Sequence, residues 1–176
     1  MKPPTTTTSI SSTAYLEKAL AASPSTFALS YRLRIDSLPP TTDSTRFALL
    51  NEILLDNDVS GQRSRVYVTL NEVAGSVRLQ YGDWNAALPG YEYYEISMGT
   101  LPLTTWETIT IRVDLAAKEI VGTGSFVGGE VRIPLDARAK GRMAPVPLIV
   151  RVGTTYANAA PVDWRIFVDD YVLTRP

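Results

Sequence analysis

The segment TITIRVDL, residues 108–115, decides the fold class. Its apolar residues, Ile109, Ile111, Val113 and Leu115, take every second position; Thr108, Thr110, Arg112 and Asp114 fill the places between. Successive side chains of a β-strand point to opposite sides, so this pattern is a strand with one face in a core and one in water. The same period recurs on both sides of it. Upstream, Phe27, Leu29, Tyr31, Leu33 and Ile35 alternate with polar or small residues; so do Val66, Val68 and Leu70, and then Val77, Leu79 and Tyr81. Downstream, Val146, Leu148, Val150 and Val152 form another run, and Trp164, Ile166 and Val168 open the last, whose parity shifts at Asp169-Asp170 as a β-bulge requires.

Turn residues separate these runs. Pro39-Pro40, Gly75, Pro89-Gly90, Pro102 and Gly128-Gly129 each interrupt the alternation, the last as a hairpin signal between residues 120–126 and 130–135. Gly122 and Gly124 lie inside a strand pattern, where glycine marks a bulge. Residues 46–55 are apolar on both parities; a strand covered on both faces, or bulged near Asn51, is favoured over a helix because the neighbouring segments are strands. Residues 14–22 alone have strong helix propensity, stopped by Pro24. Ten to twelve short strands result, and that spacing predicts an all-β sandwich or barrel.

A chain of 176 residues suits one domain, with residues 1–13, rich in Thr and Pro, as a tail or linker and residues 14–176 as the folded unit. The net charge is −1, which excludes a strongly basic nucleic-acid footprint. No apolar run is long enough for a membrane-spanning helix, and no apolar leader stands at the N-terminus. The chain has neither cysteine nor histidine. Thiolate nucleophiles, disulfides, cysteine-type zinc sites and Ser/His/Asp catalysis are therefore excluded.

The second half carries a resemblance. Trp106 opens a strand that ends in Val113-Asp114; a Gly-bearing hairpin follows, then LIVRVG at residues 148–153, then IFVDDYVL at residues 166–173. This order resembles the concanavalin A-like lectin/glucanase superfamily, in particular its laminin-G-like jelly rolls. The resemblance implies a jelly roll, a two-sheet antiparallel β-sandwich, whose concave face or rim loops bind sugars, lipids or proteins. It also implies that residues 14–20 form an opening strand paired with the terminal strand, against their local helix propensity.

Sugar recognition needs flat aromatic faces together with amides, carboxylates and guanidinium groups. The densest such stretch is residues 81–95, YGDWNAALPGYEYYE, and Trp84, Asn85, Tyr91, Asp83 and Tyr93 are the candidate ligand-binding residues. Tyr93 and Tyr94 face opposite ways in a strand, so only one of them joins an exposed platform, while Tyr81 belongs to the core. Trp106 and Trp164 read as packing residues. The superfamily's glucanases carry acids as E-x-D-x-E on one strand face, and this chain has no such pattern; Glu92 and Glu95 fall on opposite sides of a strand. Only hard oxygen ligands remain for a metal, so calcium at Asp56 and Asp58, with Asp163 as a further donor, is the candidate, against a plain polar hairpin loop. No other cofactor is expected. Seven arginines, among them Arg32, Arg65, Arg78 and Arg151, fall on the polar parity and form a wet arginine face if several share one sheet.

The expectation is a non-catalytic module that binds carbohydrate or another surface ligand, placed extracellularly or in the cell envelope. A purely structural module is the first alternative. A polysaccharide hydrolase or lyase is the second, since lyases of acidic polysaccharides can use Tyr and Arg without histidine.

Overall fold

A computed structural model of the protein describes residues 14–20, 25–37, 47–57, 63–71, 75–85, 90–135, 143–157 and 165–175. They form eleven strands: β1 (Ala14–Leu20), β2 (Thr26–Ser37), β3 (Phe47–Asn57), β4 (Arg63–Asn71), β5 (Ser76–Asn85), β6 (Gly90–Thr100), β7 (Glu107–Asp114), β8 (Glu119–Gly124), β9 (Val131–Pro134), β10 (Met143–Ala157) and β11 (Arg165–Thr174). Two antiparallel sheets result. One has six strands in the order β1-β10-β3-β4-β5-β6, the other five in the order β11-β2-β7-β8-β9. Among the described residues there is no helix.

The alternation read from the sequence is what packs the two sheets. Phe27, Leu29, Tyr31, Leu33 and Ile35 of β2 are all buried, and the residues between them are half-buried. Ile109, Ile111 and Val113 of β7 join them. From the six-stranded sheet come Ile53, Leu55, Val66, Val68, Leu70, Leu79, Val150 and Val152. Each large side chain taken out of water stabilises the fold by roughly 1.5–3 kcal/mol, and this layer joins the two sheets.

Several expectations are corrected or refined. Residues 14–20 are a strand, but β1 pairs with β10, with Leu16 opposite Val152, whereas the terminal strand β11 lies in the other sheet and pairs with β2. Every described side chain of β1 is exposed, so backbone pairing rather than burial overrides its helix propensity. Residues 47–57 are a strand, with its register shift between Leu49 and Asn51. Gly122 and Gly124 mark no bulge, because β7 and β8 pair in continuous register through both. A Cβ at Gly122 would lie 3.1 Å from Leu79 Cδ2 of the facing sheet and 3.1 Å from Val131 Cγ2, so glycine is there for close approach. Gly128 and Gly129 sit in a longer connection between β8 and β9.

The β11 bulge falls where the sequence shifts parity: pairing breaks between Asp169 and Val172, and Asp170 has φ 49°. Asp169 Oδ1 accepts the Asp170 N–H at 2.8 Å. A different carboxylate shapes the turn from β7 to β8, where Asp114 Oδ1 accepts the Ala117 N–H at 2.8 Å and Lys118 takes φ 55°.

Candidate functional site

The outward face of the six-stranded sheet carries the candidate side chains. Two neighbouring cross-strand rows define it. Pairing sets Glu17 against Arg151, Arg151 against Glu52, Glu52 against Tyr67, Tyr67 against Gln80 and Gln80 against Glu95. The adjacent row runs Leu54, Arg65, Gly82, Tyr93. All these positions share the parity opposite to the core residues of their strands.

Ion pairs stitch the first row. Arg151 donates from Nε to Glu17 at 2.7 Å and from a terminal nitrogen to Glu52 at 2.8 Å. It also lies 5.2 Å above the Tyr15 ring. Glu52 is only 7% exposed, and Arg65 approaches its other oxygen at 3.8 Å. Two guanidinium groups thus compensate one nearly buried carboxylate. On the far side, Glu95 accepts from Gln80 at 2.5 Å and from Arg78.

Between these ion pairs sit two tyrosines. The Tyr67 and Tyr93 rings are 6.4 Å apart at 44°. Tyr67 is covered, whereas Tyr93 is 55% exposed. Burial first, then the Tyr93 contact and hydrogen bond and the charge of Glu52, push the Tyr67 phenol well above its ordinary range, with Arg65 opposing. Tyr67 therefore stays neutral beside Tyr93. The two residues stand on strands separated by β5, and they meet because the intervening position is Gly82.

The sequence-predicted residues divide between the two faces. Tyr93 is on the outward face. Tyr94 points inward and stacks on Tyr81, centroids 6.2 Å apart. Asp83 follows the inward parity too; it is 2% exposed and accepts from Ser64 at 3.0 Å. Asp83 and Tyr93 are thus not brought together. Positions 84 and 91 are register partners with the parity of Gly82 and Tyr93, and position 85 pairs with Gly90. The side chains of Trp84, Asn85, Tyr91 and Asp56 lie outside the described residues, as do Asp58, Asp163 and Trp164 entirely. Among the described residues no three acidic side chains cluster as a metal site would require.

Glu92 and Glu95 do fall on opposite sides: Glu92 accepts from Tyr94 at 3.2 Å, away from Glu95. The arginines divide between the sheets. Arg65, Arg78 and Arg151 line the face just described, while Arg32, Arg34, Arg112 and Arg132 lie on the other sheet. There Arg32 and Arg34 sit 5.2 and 5.5 Å over Trp106, and Arg34 lies 4.7 Å over Phe167, so the half-buried Trp106 ring is covered by guanidinium groups and is not part of the core cluster.

Glu17, Glu52, Tyr67 and Gly82 were not singled out by sequence. Tyr67 had one signal, an aromatic on the polar parity between Arg65 and Thr69. Glu17 and Glu52 had none, because their partner Arg151 is 134 and 99 residues away in sequence.

Solved structures with the same layering settle the architecture. An alginate lyase from Pseudomonas aeruginosa superposes with TM-score 0.56 and 19% identity over 89% of this chain and 66% of its own. The fold is a two-sheet antiparallel jelly roll like that of this lyase. A member of polysaccharide lyase family 7 matches this jelly roll with TM-score 0.59 and 13% identity, over 87% of this chain and 63% of its own. A family 7 alginate lyase in complex with its product gives 0.63 and 13%, over 97% and 74%. The jelly roll thus spans under two thirds of the length of the first two lyases. At these identities the likeness establishes the fold. The sequence matches no protein-family model, and a search of curated proteins found no match. No helix among the described residues is long and apolar enough to cross a membrane.

Proposed function

We propose that this jelly roll acts on an acidic polysaccharide laid across the outward face of the six-stranded sheet, and that its chemistry is elimination rather than hydrolysis. The observation that carries the reading is Tyr93, an exposed phenol in one cross-strand row with Arg65 and backed by Tyr67. Two arguments set elimination above hydrolysis. Glycoside hydrolysis needs two carboxyl groups facing each other across the bond. Here each described acid on this face already accepts from a guanidinium, and none is placed as such a pair. Elimination from a 4-linked uronate needs other groups: a cation beside the sugar carboxylate, and a proton-carrying side chain at the ring. The C5 proton passes to the Tyr93 oxygen and from it to the departing glycosidic oxygen, as the bond from C4 to that oxygen breaks and a C4=C5 double bond forms. Arg65 suits the first need and the Tyr93 hydroxyl the second. That alginate lyases share the fold supports this reading. Extracellular placement is part of the proposal, since such polymers lie outside cells.

The test is incubation with alginate and other polyuronates, following unsaturated chain ends by ultraviolet absorbance. Active protein and a loss of about 10²–10⁴ in turnover for Tyr93→Phe are expected. No unsaturated ends, with no retention on a polyuronate gel, overturns the proposal. Retention without unsaturated ends identifies the lectin-like reading, binding without turnover, which the lack of histidine and the internally paired charges favour as the second choice.

A further inference from the structure

We infer that Gly82 and Tyr67 are positioning residues that hold the Tyr93 ring over β5, so that its open side is a preformed stacking platform for one sugar ring. This rests on the reading of the face as a polysaccharide site, and names the contact by which one sugar unit is held.

The geometry is specific. Tyr93 is on β6 and Tyr67 on β4, with β5 between them. Neighbouring strands lie about 4.8 Å apart, so two side chains separated by a whole strand normally have a third between them. Gly82 is the direct register partner of both Arg65 and Tyr93. A Cβ at position 82 would lie 2.8 Å from Tyr93 Cε1, 3.0 Å from Cδ1 and 3.1 Å from the Tyr67 hydroxyl. The Tyr93 ring therefore occupies the space that any other residue at 82 would fill, and the Tyr67 hydroxyl closes the inner edge. The Cδ1–Cε1 edge of the ring lies over Gly82, yet Tyr93 is still 55% exposed, so much of the ring faces solvent. An aromatic face fixed before binding loses little freedom when a ligand arrives. The C–H groups on one face of a pyranose are the complement of such a ring, and Arg65, on the other side of Gly82 in the same row, is placed for the sugar's carboxylate.

The experiment measures binding of acidic and neutral oligosaccharides by calorimetry, with turnover measured in parallel. Tyr93→Ala and Gly82→Ala each weaken binding about three- to tenfold, the range expected for loss of one aromatic contact. Tyr93→Phe keeps the ring, so its affinity holds while turnover collapses; a residue with a merely structural role would not split the two. Gly82→Ala placed in the Tyr93→Ala background changes affinity no further and melting temperature only slightly, because the obstructing ring is gone and only the Tyr67 hydroxyl at 3.1 Å has to give. That control separates misfolding from displacement of the platform. Acidic oligosaccharides bound equally well by the wild type, Tyr93→Ala and Gly82→Ala overturn the platform and leave the acidic-polysaccharide reading standing. Neutral oligosaccharides bound in a Tyr93-dependent way, with no acidic ones bound, keep the platform and overturn that reading. No binding of any glycan by the wild type overturns both.

Discussion

Tyr31 of β2 donates a 3.1 Å hydrogen bond across the sandwich to Oδ1 of Asn51 on β3. The same oxygen accepts the backbone N–H of Val68 on β4 at 3.0 Å. Both side chains are buried, and burial pushes the Tyr31 phenol up, so it remains a donor. Asn51 sits at the register shift of β3, next to Leu50, which the pairing skips, and is itself the register partner of Val68. One side-chain amide thus repairs the bulge and ties the two sheets together.

The two partners are expected to be unequal on mutation. Tyr31→Phe removes one hydrogen bond and leaves Asn51 with Val68, at a cost of about 0.5–1.5 kcal/mol. Asn51→Leu leaves the Tyr31 hydroxyl and the Val68 N–H both buried without a partner, at about 1–3 kcal/mol each. Urea unfolding of the two variants checks the order; equal losses would contradict the bridging role of Asn51.

Close approach at Gly122 predicts a second contrast. Gly122→Ala puts a methyl against Leu79, Val131 and Met98 Cε, the last at 3.2 Å, and is expected to destabilise by about 1–3 kcal/mol. Gly128→Ala meets nothing within 4 Å and is expected to stay within about 0.5 kcal/mol of wild type. Thermal melting of both proteins decides it.

Asp170 occupies the left-handed region in the β11 bulge and accepts from Arg32 at 3.4 Å on an exposed surface. Such a surface pair contributes little, about 0–1 kcal/mol. Asp170→Gly is therefore expected to be nearly neutral, since glycine adopts positive φ freely, whereas Asp170→Val is expected to lose about 1–2 kcal/mol. Equal stability of the Gly and Val variants in denaturant melts would show that the backbone relaxes out of this conformation.

Acid stability is expected to depend on the β7–β8 hairpin. The Ala117 N–H, ahead of the neighbouring Arg112, holds the Asp114 carboxyl below its ordinary range. Glu119 is lowered chiefly by Arg132, which donates at 2.7 Å, and also by Arg112 at 2.6 Å. Both groups have folded values below their unfolded ones. Their contribution is complete above the ordinary carboxylate range and disappears as the pH falls through the folded values. Unfolding midpoints measured from neutral to acid pH should fall more gently in Asp114→Asn and Glu119→Gln than in wild type. Unchanged slopes in both variants would rule this out.

Local pattern determined the strands. The two-residue period over residues 27–35, 66–70, 77–81 and 109–113 names the buried side of each ribbon, because a strand has only two faces and only one can enter the core. It also separated Tyr93 from Tyr94 and located the bulges near Asn51 and Asp170. Tertiary structure decided everything that depends on which strands are neighbours. It placed β1 against β10 rather than against the terminal strand, and divided the arginines between two sheets. It brought Glu17 and Glu52 to Arg151, and let Tyr93 reach Tyr67 across Gly82. Alternation fixes the side to which a residue points, but says nothing of its cross-strand partner. That partner is chosen by pairing between segments far apart in the chain, and the candidate site is made of such pairs.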